Sequence, residues 1–190
     1  MGSSDWVSFP KVLTLANGGK ILLRVLNQGD GEGFGALVQE ASDEELLFLK
    51  ENFRDPKVID SWFDRLHYRK VLPLLAIDLT VHRFAAVAIL HRGEHAFRHI
   101  GDIRLFVSES YRLLGLGRVL LEELIALAWK EDFYWRSAEV IGDHRKVITA
   151  FHSKGFEIKA RLPDYCRRPN GVTLDVALML RPMVNTEAEY

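Results

Sequence analysis

Arg112-Leu113-Leu114-Gly115-Leu116-Gly117 is the stretch that most constrains this chain. It has the form Arg-x-x-Gly-x-Gly. It joins an extended apolar run, Ile103 to Val107, to an amphipathic helix expected to reach about Lys130. A strand, a tight basic loop and a helix start, in that order, make an anion site. The first N–H groups of a helix lack partners within it and point outward, and the helix dipole adds partial positive charge there. Gly115 and Gly117 carry no side chain to hold a phosphate off the backbone. Arg112 and Arg118 place formal charge at the two ends of the loop. The segment reads as a pocket for a diphosphate-bearing ligand. Its plain alternative is a polar turn before an ordinary core helix.

Two other phosphate loops are excluded. Leu120 stands where the dinucleotide fingerprint needs its third glycine, and the Gly-Lys-Ser/Thr of a Walker loop occurs nowhere. The 190 residues, 48% hydrophobic and 27% charged, fit one domain with a sizeable core, expected over 11–183 with tails at 1–10 and 184–190. A formal net charge of -1 argues against bulk attraction to nucleic acid or to an acidic membrane surface. The single cysteine, Cys166, excludes an internal disulfide and suits a reducing, cytoplasmic setting. The most apolar region, Val71 to Leu90, is broken by Pro73, Asp78, His82 and Arg83, so no membrane span is expected. The first residues lack the apolar core of a signal peptide.

Periodicity orders the elements. Lys11–Leu15 and Lys20–Leu26 flank Asn17-Gly18-Gly19 as a hairpin. Gly29 to Gly35 reads as loop or helix start, and Ala36–Glu40 and Asp43–Asn52 as short helices, the second with a Ser42/Glu45 capping box. Asp55 caps a helix from Pro56 to about Arg69. Leu72–Leu79, Phe84–His91 and Ile100–Val107 read as strands. After the helix from Leu116 come a strand Ser137–Ile141, a helix His144–Lys154 stopped by Gly155, and strands Phe156–Leu162 and Val172–Leu180. His91, His95 and His99 recur every four residues, but Gly93 breaks any shared helical face. They are expected as exposed turn residues, and no metal site is expected.

The Arg112–Gly117 loop resembles the pyrophosphate loop of the GNAT acyltransferase superfamily, Arg/Gln-x-x-Gly-x-Gly/Ala. A second segment agrees: a short helix ending in Gly-Phe before a strand, here His144 through Phe151 to Gly155-Phe156. Arg161-Leu162-Pro163-Asp164-Tyr165, followed by Gly171 and Asp175, is similar to single-domain bacterial members related to protein-lysine acetyltransferase domains. The resemblance implies an α/β (α+β) fold with a mixed, mostly antiparallel sheet of about six to seven strands. That sheet would be splayed in the middle, with helices on both faces. It implies acetyl-CoA as co-substrate, lying between the splayed strands as a false strand beside Phe106 and Val107. Its pyrophosphate would rest on Arg112, Leu113, Leu114, Gly115, Leu116, Gly117 and Arg118, and His144 and Phe151 are further candidates for cofactor contact. It further implies an N-acetyltransferase acting on a primary amine, whether a protein lysine, a protein N-terminus or a small molecule. Nucleic acid and membrane are not expected partners, and a homodimer is left open.

The chemistry asks for a base. An alkyl ammonium, with a reference pKa of about 10.4, must lose a proton before it attacks a thioester. Asp102 is the first candidate and Glu139, on the neighbouring strand, the second. Alternation puts Asp102, Arg104 and Phe106 on one face and Ile103, Leu105 and Val107 on the other. Asp102 also reads as a structural partner of Arg104 or Arg98. The superfamily often has a tyrosine, as proton donor to the leaving thiolate, at the position of Phe151. Phenylalanine has no exchangeable proton. That departure leaves a non-catalytic acyl-CoA sensor as an alternative. An unrelated α/β protein holding some other phosphate is the other.

Overall fold

The computed structural model describes residues 9–130, 133–141, 144–168 and 170–182. The expected tails lie outside these residues, apart from Phe9 and Pro10. Eight strands form one sheet, in the order β1-β2-β3-β4-β5-β6-β8-β7. They are β1 (Lys11–Thr14), β2 (Lys20–Val25), β3 (Val71–Asp78), β4 (Arg83–Arg92), β5 (Ile100–Val107), β6 (Trp135–Ile141), β7 (Glu157–Arg167) and β8 (Thr173–Pro182). Neighbours are antiparallel except β5 and β6, which run parallel. The count exceeds the expected six or seven because both arms of the first hairpin join the sheet, β2 pairing with β3. The hairpin turns where Gly18 sits at a φ of 84°, and Asn17 Oδ1 accepts from the Gly19 N–H at 3.0 Å.

Five helices cover the two faces: α1 (Gly31–Gln39), α2 (Asp43–Leu47), α3 (Pro56–Asp64), α4 (Leu116–Lys130) and α5 (Arg145–His152). On one face Leu116, Leu120 and Leu124 of α4 and Phe151 of α5 pack on Leu74, Ala88, Ile103 and Val140. On the other, Phe34 and Leu37 of α1, Leu46 of α2 and Phe63 of α3 pack on Leu75, Val87, Ile89 and Phe106. The alternation along β5 holds: Ile103 joins the first core and Phe106 the second.

Three helices differ in extent from the reading above. α1 begins at Gly31 rather than Ala36. Gly33 serves close packing on the sheet, since a Cβ there would lie 2.6 Å from the Phe84 ring. α2 keeps its Ser42/Glu45 capping box but ends at Leu47. There the Arg104 guanidinium takes the Leu49 carbonyl at 2.9 Å, and Lys50 turns the chain with a φ of 60°. α3 stops at Asp64, and the chain folds back so that the Tyr68 hydroxyl donates to the Leu26 carbonyl at 3.1 Å. β7 runs on past Leu162 through Pro163 because it is an edge strand, where a missing N–H costs no ladder bond.

The β4–β5 connection is tight. A Cβ on Gly93 would lie 2.2 Å from the Phe97 carbonyl oxygen, a backbone atom. Gly93→Ala is expected to destabilise by about 1–3 kcal/mol. That outweighs the ~0.4–1 kcal/mol that alanine gains by restricting the unfolded chain. Thermal melting should show a drop of about 2–4 °C per kcal/mol. An unchanged melting temperature would mean the loop relaxes freely.

Candidate active site

β5 and β6 pair only where Ile100, Gly101 and Asp102 face Trp135, Arg136 and Ser137. Beyond that point each strand stays with its outer neighbour, β4 or β8, and the two part. The gap opens into a cleft of about 740 Å³, within the size range of small-molecule sites. Among the described residues no strand lies beside the inner edge of β5 past Asp102, so backbone groups there, apart from the Val107 carbonyl that Arg112 holds, are open to a ligand lying as a strand.

Of the eleven residues expected around a cofactor, nine line this cleft: Phe106, Val107, Arg112, Leu113, Gly115, Gly117, Arg118, His144 and Phe151. Leu114 and Leu116 turn away. Leu116 is fully buried against the sheet, and Leu114 packs on the same core while its carbonyl accepts from Ala16 N–H at 3.2 Å. Only their backbone groups remain for a ligand at the loop. Gly115 has a φ of 88°, and a Cβ built there would meet nothing within 4 Å. The backbone thus needs glycine, while the space over it is open. Phe151 is 5% exposed and meets the Phe156 ring edge-on at 5.1 Å.

α2 roofs the splay through ion pairs to both walls. On the β5 side Glu45 pairs with Arg112, whose Nε also donates to the Val107 carbonyl at 3.0 Å. On the β6 side Glu44 pairs with Arg168, and its Oε1 lies within hydrogen-bonding distance of His144 Nε2, at 3.2 Å. Arg112 is therefore held by a carboxylate with which an anionic ligand would compete.

The two base candidates come together, through a residue that the sequence did not single out. Lys50 Nζ lies 3.1 Å from Asp102 Oδ2 and 3.0 Å from Glu139 Oε1, bridging the strands just where they part. Asp102 also takes Arg104 Nε at 3.0 Å, so the expected structural pairing with Arg104 is present. The two carboxylates differ in access. Glu139 lines the cleft, and Asp102 sits behind its wall between two cations. On the far side of Lys50 a second cavity of about 140 Å³ is walled by Leu47, Phe48, Ile141, Tyr165, Cys166 and Val176. Phe48, Lys50 and Glu139 line both cavities and form the partition between them. The sequence placed Lys50 inside a helix expected over Asp43–Asn52, and its position here depends on the chain turn that follows the earlier end of α2 at Leu47.

His91 departs from the expectation for it. His95 and His99 are exposed, but His91 lies on β4 directly opposite Asp102 and is partly buried. Burial, reinforced by the Arg104 charge, lowers its pKa to about 4. The folded protein therefore resists a proton that the unfolded chain accepts near pH ~6.5. Stability is full above that value and falls as the pH drops toward 4, by on the order of 3 kcal/mol. His91→Gln should flatten the loss of melting temperature between neutral pH and about pH 4. An equally steep loss in the variant would assign it to other groups.

Among the described residues no helix is long and apolar enough to cross a membrane. No curated protein matches the chain by sequence. Solved structures do match it in fold. yncA of Salmonella typhimurium, solved with its cofactor acetyl-CoA, aligns with a TM-score of 0.71 at 20% identity over 90% of this chain and 98% of its own. The ribosomal-protein-alanine N-acetyltransferase of Brucella melitensis aligns at 0.74 and 23% identity over 85% and 99%. A GNAT-family acetyltransferase of Streptococcus pneumoniae aligns at 0.71 and 19% identity over 86% and 99%. The model of the acetyltransferase (GNAT) family matches residues 37–156, well over half of the chain, and the protein is therefore a member of the GNAT acetyltransferase family.

Proposed function

We propose that this acetyltransferase moves an acetyl group from acetyl-CoA to a primary amine carried on a slender apolar arm, and that 11–183 act as one domain. One observation carries the reading. A single cleft runs from an anion-binding loop to a point where two carboxylates hold an ammonium. Gly115 and Gly117, with the amides that open α4, receive the pyrophosphate, and Arg112 and Arg118 neutralise it. The free edge of β5 near Phe106 and Val107 holds the pantetheine arm and presents an N–H to the thioester oxygen.

The acceptor enters from the 140 Å³ cavity, whose walls are mostly apolar and leave room for an alkyl arm such as a lysine's. Its ammonium takes the place of the Lys50 ammonium against Glu139. Glu139 reaches both cavities and accepts the proton, while Asp102 and Arg104 hold Lys50 and the Leu49 loop in position. The order of the two base candidates is thus reversed, because access favours Glu139. Phe151 donates nothing, so the thiolate is protonated by water or by the attacking nitrogen.

Calorimetric titration with acetyl-CoA, and with ATP as control, tests the cofactor. Micromolar binding selective for the thioester supports the reading, and equal binding of ATP removes it. A screen of alkyl amines and lysine peptides for coenzyme A release then tests the acceptor.

A further inference from the structure

Lys50 is already where an acceptor belongs. Its Nζ meets carboxylates from both splayed strands, and its side chain lines the cleft on one side and the small cavity on the other. The backbone holds it there: Lys50 is in the left-handed region at a φ of 60°, and the preceding Leu49 is buried with its carbonyl tied to Arg104. Among the described residues no other lysine shows this combination. Lys70 is exposed and pairs with Glu94 outside the cleft, and Lys146 lines the cleft from the exposed start of α5.

We propose that Lys50 is itself an acyl acceptor, and that the protein transfers an acetyl group from acetyl-CoA to its own Lys50 Nζ. This rests on the acetyl-CoA reading above. The Lys50 ammonium gives one proton to Glu139. The freed nitrogen bonds to the thioester carbon, and the carbon–sulfur bond breaks. The second proton leaving the nitrogen goes to the departing thiolate, so that the products are acetyl-Lys50, coenzyme A thiol and the proton on Glu139. The product amide carries no charge. Glu139 loses this ion pair, Asp102 keeps Arg104, and the acetyl group stands in the partition between the two cavities.

The test is peptide-mapping mass spectrometry of the purified full chain incubated with acetyl-CoA and no added amine, beside calorimetry on the same preparation. Acetylation of Lys50 is expected at least about tenfold faster than at Lys70 or Lys146, because the nitrogen is held beside the thioester and beside a base. The rate should not depend on protein concentration. Lys50→Arg should bind acetyl-CoA and show no acetyl group at that position. Binding of acetyl-CoA with Lys50 modified no faster than Lys70 overturns the proposal. So does a rate that rises with protein concentration, which would make the transfer intermolecular. Absence of acetyl-CoA binding overturns the cofactor reading, and self-acylation with it.

Discussion

Gly115→Glu should lower acetyl-CoA affinity by at least about 100-fold, roughly 2.7 kcal/mol, while leaving the protein folded. Two features of Gly115 separate binding from folding. Its φ of 88° imposes a strain of about 1–2 kcal/mol on any other residue. A β-carbon there meets nothing within 4 Å, so the fold itself is not obstructed. The strain should appear as a fall in melting temperature of a few degrees. The expected loss of binding has a different cause: a carboxylate would stand over the amides proposed to receive the diphosphate, in a loop where Arg112 is already engaged by Glu45. Gly115→Ala is the companion variant. It carries the same strain without the charge, so it should lose a similar amount of stability and much less affinity. Calorimetry and melting on both variants give the comparison. Unchanged affinity in Gly115→Glu would show that the loop does not hold the diphosphate.

The second large effect is expected at Glu139. Glu139→Gln keeps the shape of the side chain and removes the base, and should lower kcat by about 10²–10⁴-fold with acetyl-CoA affinity unchanged. Asp102→Asn should do less to kcat and more to stability. It leaves Lys50 and Arg104 short of a partner behind the cleft wall, at a cost of about 1–3 kcal/mol. The kcat losses of the two variants, measured beside their melting temperatures, decide between the carboxylates. If Asp102→Asn carries the larger loss of kcat, Asp102 is the base and Glu139 its neighbour.

Much of this site was legible in the chain because its parts are local. The loop, the strand before it and α4 after it form one continuous segment, and glycine spacing and apolar periodicity report such a segment directly. The alternation along β5 separated Asp102 from Ile103 for the same reason. The ends of α1 and α2 were less legible. The glycines of α1 read as loop signals, yet Gly33 answers to the Phe84 ring, a neighbour distant in sequence. Lys50 fell inside the helix expected over Asp43–Asn52, yet that helix ends three residues before it, and Arg104 takes the Leu49 carbonyl in the turn that follows. His91 read as a turn residue, yet its long-range pairing opposite Asp102 withdraws it from water.

The sequence by itself determined the elements, the candidate anion-binding loop, the two candidate carboxylates and the family resemblance. Each rests on residues close together in the chain, where backbone geometry alone sets which side chains share a face. Tertiary structure decided how those parts act together. The divergence of β5 and β6 after Asp102 and Ser137 depends on which outer strand each one pairs with. The roof made by Glu44 and Glu45, and the seating of Lys50 between Asp102 and Glu139, join segments tens of residues apart. Electrostatic attraction acts through space and not along the chain, so the partners of a charge emerge only when the sheet brings its strands together.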